Sequence, residues 1–254
     1  MLLWLAYSTD TPREHRAVSA QELQAIERGH MPRAEHVSVP LLSLLKSPAV
    51  LSLCSSYMLF GFIAWIFILW FPTYLVEARG FSRMHMGLVG MLPTGASFLG
   101  IAAGGVVSDY LLKQGWSTRA ARARFPGLTV GLSLPFLLAA VTTPSPTLSV
   151  ILFVCFYFTL SLAVSGYWSM PLELNPHLVG AISGVMNTAG NCAGIFGPLT
   201  AGVIVARTGN WALPFYLVAA LGVLCGLIFF FLVSAKSIKI TGLAAPAPLQ
   251  EVTK

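Results

Sequence analysis

Charged side chains are scarce in this sequence: Asp, Glu, Lys and Arg together make up only 9 % of its 254 residues. An ordinary soluble domain contains about 25 % of them. Hydrophobic residues make up 56 %, and the mean hydropathy is +0.77. Because so few polar residues cannot cover the surface of a soluble domain of this length, the composition excludes that class. It predicts a protein whose solvent is lipid.

Residues that build reactive centres are also scarce. The five histidines lie far apart, and the cysteines form no Cys-x-x-Cys pair. We find no metal-ligand spacing, phosphate-binding loop, nucleophile elbow or catalytic triad, so we expect no metal, no cofactor and no intramembrane enzyme. Each cysteine falls in a separate apolar stretch and is predicted to be small apolar filler: Cys54, Cys155, Cys192 and Cys225.

What the chain does contain is six long apolar stretches, each of a length that crosses a bilayer, which takes about 20 residues per helix. The apolar runs are continuous rather than alternating, which favours helices over a β-barrel. We therefore predict an all-α membrane protein, a six-transmembrane-helix bundle. The predicted spans cover residues 50–76, 86–108, 126–143, 147–170, 180–206 and 211–234.

Lys and Arg are concentrated in the segments between the spans. If the spans alternate in direction, twelve of the fifteen fall on one side, and only Arg79, Arg83 and Arg207 fall on the other. Cytoplasmic segments carry an excess of Lys and Arg. We therefore expect a multi-pass protein with both termini in the cytoplasm. Because this topology accounts for the net charge of +6, nucleic acid is not expected as a partner.

The polar segments divide the chain into four parts. Residues 1–7 are apolar and too few to span, so we interpret them as the end of a preceding transmembrane helix. Residues 8–48 form a cytoplasmic central loop, in which Ser19 and Glu22 have the spacing of a capping box and predict a short helix. The six-helix bundle covers 49–234, and 235–254 form a cytoplasmic tail.

The second and fifth spans share an unusual richness in glycine and proline. They occupy equivalent places if the six spans are two sets of three, which is the pattern of a 3+3 inverted repeat found in transporters. Small residues four apart let helices approach closely in lipid. Three such pairs predict close packing: Gly100/Gly104, Gly180/Gly184 and Gly190/Gly194.

Polar side chains inside the spans are few, and most lie in the fourth and fifth. Asn187 and Asn191 are four residues apart and share one face of a helix. An amide in hydrocarbon must find a partner. Either this pair bonds to neighbouring helices, or it faces a solvated cavity and touches substrate. An aromatic–hydroxyl cluster favours the second interpretation: Tyr57, Ser165, Tyr167 and Trp168.

Asp109 ends the second span and is followed by a basic loop. At the membrane edge a carboxylate is tolerated and can pair with Arg119 or Arg122. It either sets the depth of the helix or acts as a latch that holds the cytoplasmic side closed in one state.

These motifs resemble the anion:cation symporter family of the major facilitator superfamily. Four stretches carry the resemblance, and they are given in chain order at the end of this paragraph. The first is similar to the end of that family's seventh helix and the second to the superfamily's cytoplasmic loop motif. The third and fourth are similar to the family's tenth and eleventh helices. Residues 7–12 resemble the end of its sixth helix. The stretches are WFPTYLVEARGFS at 70–82, GGVVSD at 104–109, GYW at 166–168 and GAISGVMNTAGNCAGIFGP at 180–198.

The resemblance implies the C-terminal half of a twelve-span permease that takes up organic anions with protons. It carries substrate contacts onto Trp168 and Asn187, with Ser165, Tyr167 and Asn191 beside them. We expect Tyr57 of the first span to hydrogen-bond the substrate together with the two asparagines. It carries a cytoplasmic gate onto Asp109 and Arg119. The proton-coupling carboxylates and the substrate-binding arginine are expected in the missing N-terminal half.

The resulting hypothesis is a truncated secondary active transporter of the bacterial inner membrane. It would take up an organic anion such as a sugar acid with a proton, by alternating access. Its partners would be the anion, the proton, the lipid bilayer and an N-terminal six-helix half. The alternatives are an antiporter or uniporter on the same fold, and a non-transporting six-span scaffold or half-transporter that needs a partner chain.

Overall fold

A computed structural model describes residues 7–9, 11–29 and 41–234. Most of the predicted preceding helix at 1–7, residues 10 and 30–40 of the central loop, and the tail at 235–254 lie outside the described residues. The chain divides into two units, Met1–Ser38 and Val39–Lys254. In the first unit, helix Ala20–Gly29 begins as predicted: the Oγ of Ser19 accepts a hydrogen bond from the Glu22 N–H at 3.2 Å.

Within its described residues, 41–234, the second unit contains a short helix, Leu41–Leu45, followed by six helices that are long and apolar enough to cross a membrane. The prediction of an all-α, six-span bundle is therefore confirmed. From here on, the first to sixth spans are Pro48–Glu77, Arg83–Lys113, Ala120–Thr142, Pro146–Leu174, Pro176–Thr208 and Leu213–Leu232.

Local sequence signals set several of the helix ends. The second span starts after Ser82, whose Oγ accepts from the His85 N–H at 3.3 Å, and the fourth after Ser145, whose Oγ accepts from Leu148. Both caps satisfy a backbone donor that has no partner inside the helix. The fifth span stops at Gly209, which has the left-handed φ of 65° that glycine adopts readily.

The packing of the spans follows the symmetry of a repeat of three. The fifth span packs along the first, and the second packs along the fourth in the same way. The third packs on the fourth, as the sixth packs on the first, and the third and sixth pack on each other. Exchanging the first three spans for the last three leaves this set of neighbours unchanged, as a 3+3 repeat requires.

The second and fifth spans are the most exposed of the six. Only 11 % of the most apolar stretch of the second span is buried and 22 % of that of the fifth, against 39–50 % in the others. They are also the least apolar spans. Because a helix that faced only lipid would be more apolar than its neighbours, these two exposed faces are not typical lipid-facing surfaces.

Two of the three predicted small-residue pairs pack closely. The backbone at Gly100 and Gly104 lies against the carbonyls of Phe158 and Leu162 in the fourth span, and a Cβ on either glycine would collide with them. Gly190 and Gly194 lie against aromatic rings of the first span. The pair Gly180/Gly184 is different: among the described residues, a Cβ at either position would meet nothing within 4 Å, so this pair does not pack against another helix of the bundle.

Three helices depart from regular α-geometry in ways that the sequence analysis did not predict. The fourth span is broken between Ser161 and Val164 into two helical pieces. The third span begins with a π-helical turn at Ala120–Arg124, and the sixth ends with one at Ile228–Leu232. The two π-turns pack against each other at the basic end of the bundle, the end that carries Lys113 and the arginines of the third span.

At the opposite end, Arg79 ties the first span to the third. Its guanidinium donates to the carbonyls of Ala140, Val141 and Thr143 at 2.7–2.9 Å and to the hydroxyl of Tyr74. A cation at a helix C-terminus satisfies carbonyls that lack intrahelical donors and interacts favourably with the helix dipole. Ser149 of the fourth span also donates to the Ala140 carbonyl, so three spans meet at this point.

Candidate functional site

Tyr57 is the centre of the site, because it connects three spans. Its ring makes an edge contact with Trp168 of the fourth span, with centroids 6.2 Å apart. The same ring covers Gly190 of the fifth span, where a Cβ would lie 2.6 Å from Cε1. Trp168 itself is 48 % exposed. The exposed indole and the half-buried Tyr57 ring thus lie together on one open face, and the ring covers the buried backbone of Gly190.

Asn187 and Asn191 flank Gly190 on the fifth span, and both are exposed. The Asn191 amide nitrogen donates to the backbone carbonyl of Asn187 at 2.8 Å and to its side-chain Oδ1 at 3.2 Å. These bonds leave the Asn187 amide nitrogen and the Asn191 Oδ1 without a hydrogen-bond partner among the described residues. The pair therefore offers one free amide nitrogen, which carries two N–H donors, and one free carbonyl oxygen as acceptor.

Tyr167 does not belong to this open face, although the sequence analysis grouped it there. It is fully buried, stacks on Phe229 with centroids 4.2 Å apart, and shares a hydrogen bond of 2.7 Å with Ser56. Consecutive residues of a helix point about 100° apart, so only one of Tyr167 and Trp168 can face the opening. Tyr167 instead packs against the ring of Tyr57 from the buried side, with the two ring centroids 5.0 Å apart.

Ser165 lies next to the second span, where a Cβ added at Gly105 would be 3.9 Å from the Cβ of Ser165. It is half-buried, and its hydroxyl donates to the Leu162 carbonyl in its own helix at 3.3 Å. That bond stays within the turn that follows the break in the fourth span. Ser165 keeps acceptor capacity on its oxygen but does not contact the asparagine pair in any hydrogen bond of the described residues.

Of the two arginines that the sequence allowed as partners of Asp109, the structure pairs Arg122 with it, whereas the resemblance pointed to Arg119. Asp109 pairs with Arg122, whose Nη2 lies 3.1 Å from Oδ1, and not with Arg119. The Nε of Arg122 lies 3.3 Å from a carboxylate oxygen of Glu173, at the end of the fourth span. Arg119 instead donates to the Phe231 carbonyl at 2.7 Å. The physical reason is the π-turn, which places Arg122 on the inner side of the basic end.

Sequence reasoning missed the bridging position of Arg122 and the clamp formed by Arg79. No residue pattern indicated the π-turn, whereas Arg79 carried a signal: it follows the end of a span and is one of the three basic residues that the sequence predicts on the less basic side. Among the described residues, no three His, Cys, Asp or Glu side chains lie close enough together to hold a metal ion.

Comparison with known proteins places these features in a family. The family model of the Major Facilitator Superfamily matches residues 1–198. A probable sulfoacetate transporter of Cupriavidus necator is 34 % identical over 224 residues, which cover 87 % of this chain and 51 % of the relative.

Two further relatives match over a similar length. The hexuronate transporter of Bacillus subtilis is 30 % identical, covering 89 % of this chain and 53 % of the relative. A probable galactarate/D-glucarate transporter of Escherichia coli K12 is also 30 % identical, covering 91 % and 54 %. The chain thus spans about half the length of the curated relatives it matches.

Proposed function

The chain belongs to the Major Facilitator Superfamily, and from that premise we propose that it is the C-terminal half of a secondary transporter for a small organic anion. Three relatives at 30 % identity or more are named as transporters of sulfoacetate, hexuronate and galactarate or glucarate. The substrates named for these three relatives are carboxylates. Six apolar helices and the family make the chain an integral, multi-pass membrane protein.

One observation carries the proposal: the face around Tyr57 presents unused polar groups at the middle of apolar helices. The free amide donor of Asn187 suits a carboxylate oxygen, and the free Oδ1 of Asn191 suits a hydroxyl. Trp168 adds an exposed indole that can cover the apolar side of a short carbon chain. Because exposed amides are costly in hydrocarbon, this face fits a solvated substrate site better than a lipid-facing surface.

The anion's charge must be balanced by a group that lies elsewhere. In the six described spans, Asp, Glu, Lys and Arg are confined to the helix ends. A buried carboxylate without a cationic partner is strongly disfavoured. We therefore propose that a second six-span bundle completes the site with an arginine and with the carboxylates that couple transport to protons.

The exposed faces of the second and fifth spans are the proposed docking surface for that bundle. Both are less apolar than the other spans and carry open glycines, including Gly87 and Gly90 near one end and Gly180 and Gly184 near the other. Small residues without a neighbour allow another helix to approach closely. The two open stretches lie at opposite ends of the bundle, which suits a partner that closes against one end and then the other.

The bridge Asp109–Arg122–Glu173 is proposed as part of the gate at the basic end. One guanidinium holds the ends of the second and fourth spans together through two carboxylates. We propose that this end, together with both termini, faces the cytoplasm at the bacterial inner membrane, because cytoplasmic segments carry an excess of Lys and Arg. Opening of the second span away from the fourth would require this bridge to break.

The test is uptake by the complete transporter, meaning this chain with the six-span N-terminal half, supplied in one reading frame or as a second chain. Labelled sulfoacetate, hexuronate, galactarate and a neutral sugar would be offered to cells, with and without a protonophore. Uptake of a carboxylate that the protonophore abolishes supports symport. Uptake that persists with the protonophore favours a uniporter. Transport of the neutral sugar alone, or no transport by a correctly inserted pair, would overturn the proposal.

A further inference from the structure

The π-turn at the start of the third span separates its arginines into two groups. A π-helical turn closes a hydrogen bond between residues five apart, here from the Phe125 N–H to the Ala120 carbonyl. Residues five apart therefore lie on the same side. Arg119 and Arg124 are five apart and point to the sixth span, whereas Arg122 points inward to Asp109 and Glu173.

Arg119 and Arg124 contact consecutive residues at the end of the sixth span. Arg119 donates to the Phe231 carbonyl at 2.7 Å, and the guanidinium of Arg124 lies over the Phe230 ring, 5.8 Å from its centroid. Phe230 and Phe231 both lie in the second π-turn, Ile228–Leu232, which therefore faces the two arginines. The two guanidiniums therefore flank the end of one membrane helix.

Neither guanidinium has an anionic partner in the part of the chain that the structure describes. The ion pairs of this end belong to Arg122. Arg124 is exposed, and its side chain makes no hydrogen bond with a described residue, whereas the Arg119 side chain uses one N–H for the Phe231 carbonyl. Several donors of two planar guanidiniums remain free, and the fork of an arginine matches the geometry of a phosphate.

We propose that Arg119 and Arg124 form a binding site for the headgroup of an anionic phospholipid. The site lies at the end of a membrane span, where phospholipid phosphates are located. Large apolar side chains beside it are exposed, as contact with acyl chains requires: Phe231 is 60 % and Leu232 62 % exposed. Basic pockets at the ends of transmembrane helices bind anionic headgroups in the same way.

A lipid fits this place better than a soluble anion. A free phosphate would be held only by electrostatic attraction to the two guanidiniums, which water and salt screen. A phospholipid has the same attraction and also buries apolar surface against the aromatic end of the sixth span. The site is separate from the face around Tyr57, so it does not depend on the proposed transport function.

The experiment is a lipid titration of the purified 254-residue chain in a neutral detergent, followed by native mass spectrometry. Dioleoyl phosphatidylglycerol and dioleoyl phosphatidylcholine are compared. We expect the wild-type chain to bind phosphatidylglycerol more tightly, and Arg119→Gln/Arg124→Gln to lose roughly 10-fold or more of that affinity, since each basic residue near an anionic surface contributes measurably. Its affinity for phosphatidylcholine should stay unchanged.

The matched control is Arg83→Gln/Arg207→Gln, which removes the same charge from the opposite end of the bundle. It should keep the preference for phosphatidylglycerol. Because Arg119 also holds a backbone carbonyl, the single variant Arg124→Gln, which loses no hydrogen bond with a described residue, decides the matter if the double variant fails to fold. An equal affinity of the wild type for both lipids, an equal loss in the control, or displacement of the lipid by inorganic phosphate at the same concentration would overturn the proposal.

Discussion

The ring of Tyr57 lies directly over Gly190, so close that a Cβ at position 190 would be 2.6 Å from Cε1. This contact joins the first span to the fifth at the level of the asparagine pair. It also sets the position of Tyr57 relative to Trp168. The geometry of the candidate site therefore depends on the absence of a side chain at one position.

The first prediction follows from this contact. Gly190→Ala should push the Tyr57 ring away from its place, destabilise the chain by about 1–3 kcal/mol as overpacking does, and weaken substrate binding in the complete transporter. The measurements are the unfolding temperature in detergent and the half-saturating substrate concentration. Gly184→Ala, in the same helix, is the matched control, since a Cβ at position 184 meets nothing within 4 Å among the described residues. Equal effects of the two variants on the isolated chain would contradict the argument.

The second prediction concerns the asparagine pair. In the complete transporter, Asn187→Ala should raise the half-saturating substrate concentration by about 10-fold or more, because a hydrogen bond to a charged group contributes about 1.5–3 kcal/mol. Asn191→Ala should act in the same direction, since it also removes the bond that orients Asn187. Membrane insertion should be normal in both.

Thr200→Ala serves as the control for this pair. Its hydroxyl bonds only to the Phe196 carbonyl in the same span, and it lies more than two turns from Asn191. Substrate affinity should be unchanged in this variant. A normal half-saturating concentration in Asn187→Ala would remove that residue from the site.

The third prediction tests which arginine serves the gate. Arg122→Lys should weaken the link between Asp109 and Glu173, because one ammonium does not reproduce the fork of a guanidinium. Asp109 is 61 % exposed, so the expected coupling energy with Arg122 is only about 0.2–1 kcal/mol. A double-mutant cycle of Asp109→Asn and Arg122→Gln, read from unfolding free energies, measures it.

The matched cycle uses Asp109→Asn with Arg119→Gln, and it should give a coupling energy near zero. Transport should also change more in Arg122→Gln than in Arg119→Gln. If Asp109 couples to Arg119 instead, the gate assignment fails while the rest of the fold stands.

The fourth prediction concerns the clamp at the far end of the bundle. Arg79→Ala should destabilise the chain by roughly 1–3 kcal/mol, since it leaves the carbonyls of Val141 and Thr143 without their side-chain donor. Ser149→Ala should have a smaller effect of the same sign, because Ser149 donates a single bond to Ala140. The measurement is the unfolding temperature in detergent.

Arg83→Ala provides the control, because it removes the same charge from the same side of the membrane. We expect its unfolding temperature to stay close to that of the wild type. A loss as large as that of Arg79→Ala would mean that charge, and not the bonds to the third span, stabilises this end.

The glycine pairs show where sequence reasoning succeeds and where it stops. Gly100/Gly104 and Gly180/Gly184 have the same spacing in equivalent spans, and the spacing correctly indicates that close approach is possible. Only the first pair meets another helix. A small residue permits contact, but the arrangement of the neighbours decides whether a helix is present, and for the second pair none is present in this bundle.

The site residues show the same limit. The sequence indicated that polar groups gather in the fourth and fifth spans, and Trp168, Asn187 and Asn191 do lie on exposed surface. It could not determine the rotation of the fourth span, which buries Tyr167 against Ser56 and Phe229 and exposes its neighbour Trp168. That rotation depends on packing against the first and sixth spans.

The sequence by itself determined the class of this protein: continuous apolar runs bounded by charge form helices in lipid, because every backbone group must be satisfied within its own segment. It also determined the number of spans and their division into two sets of three. The tertiary structure alone decided which arginine meets Asp109 and which faces of the second and fifth spans stay open. Those outcomes depend on a π-turn and on contacts between spans far apart in sequence, which no local pattern of residues encodes.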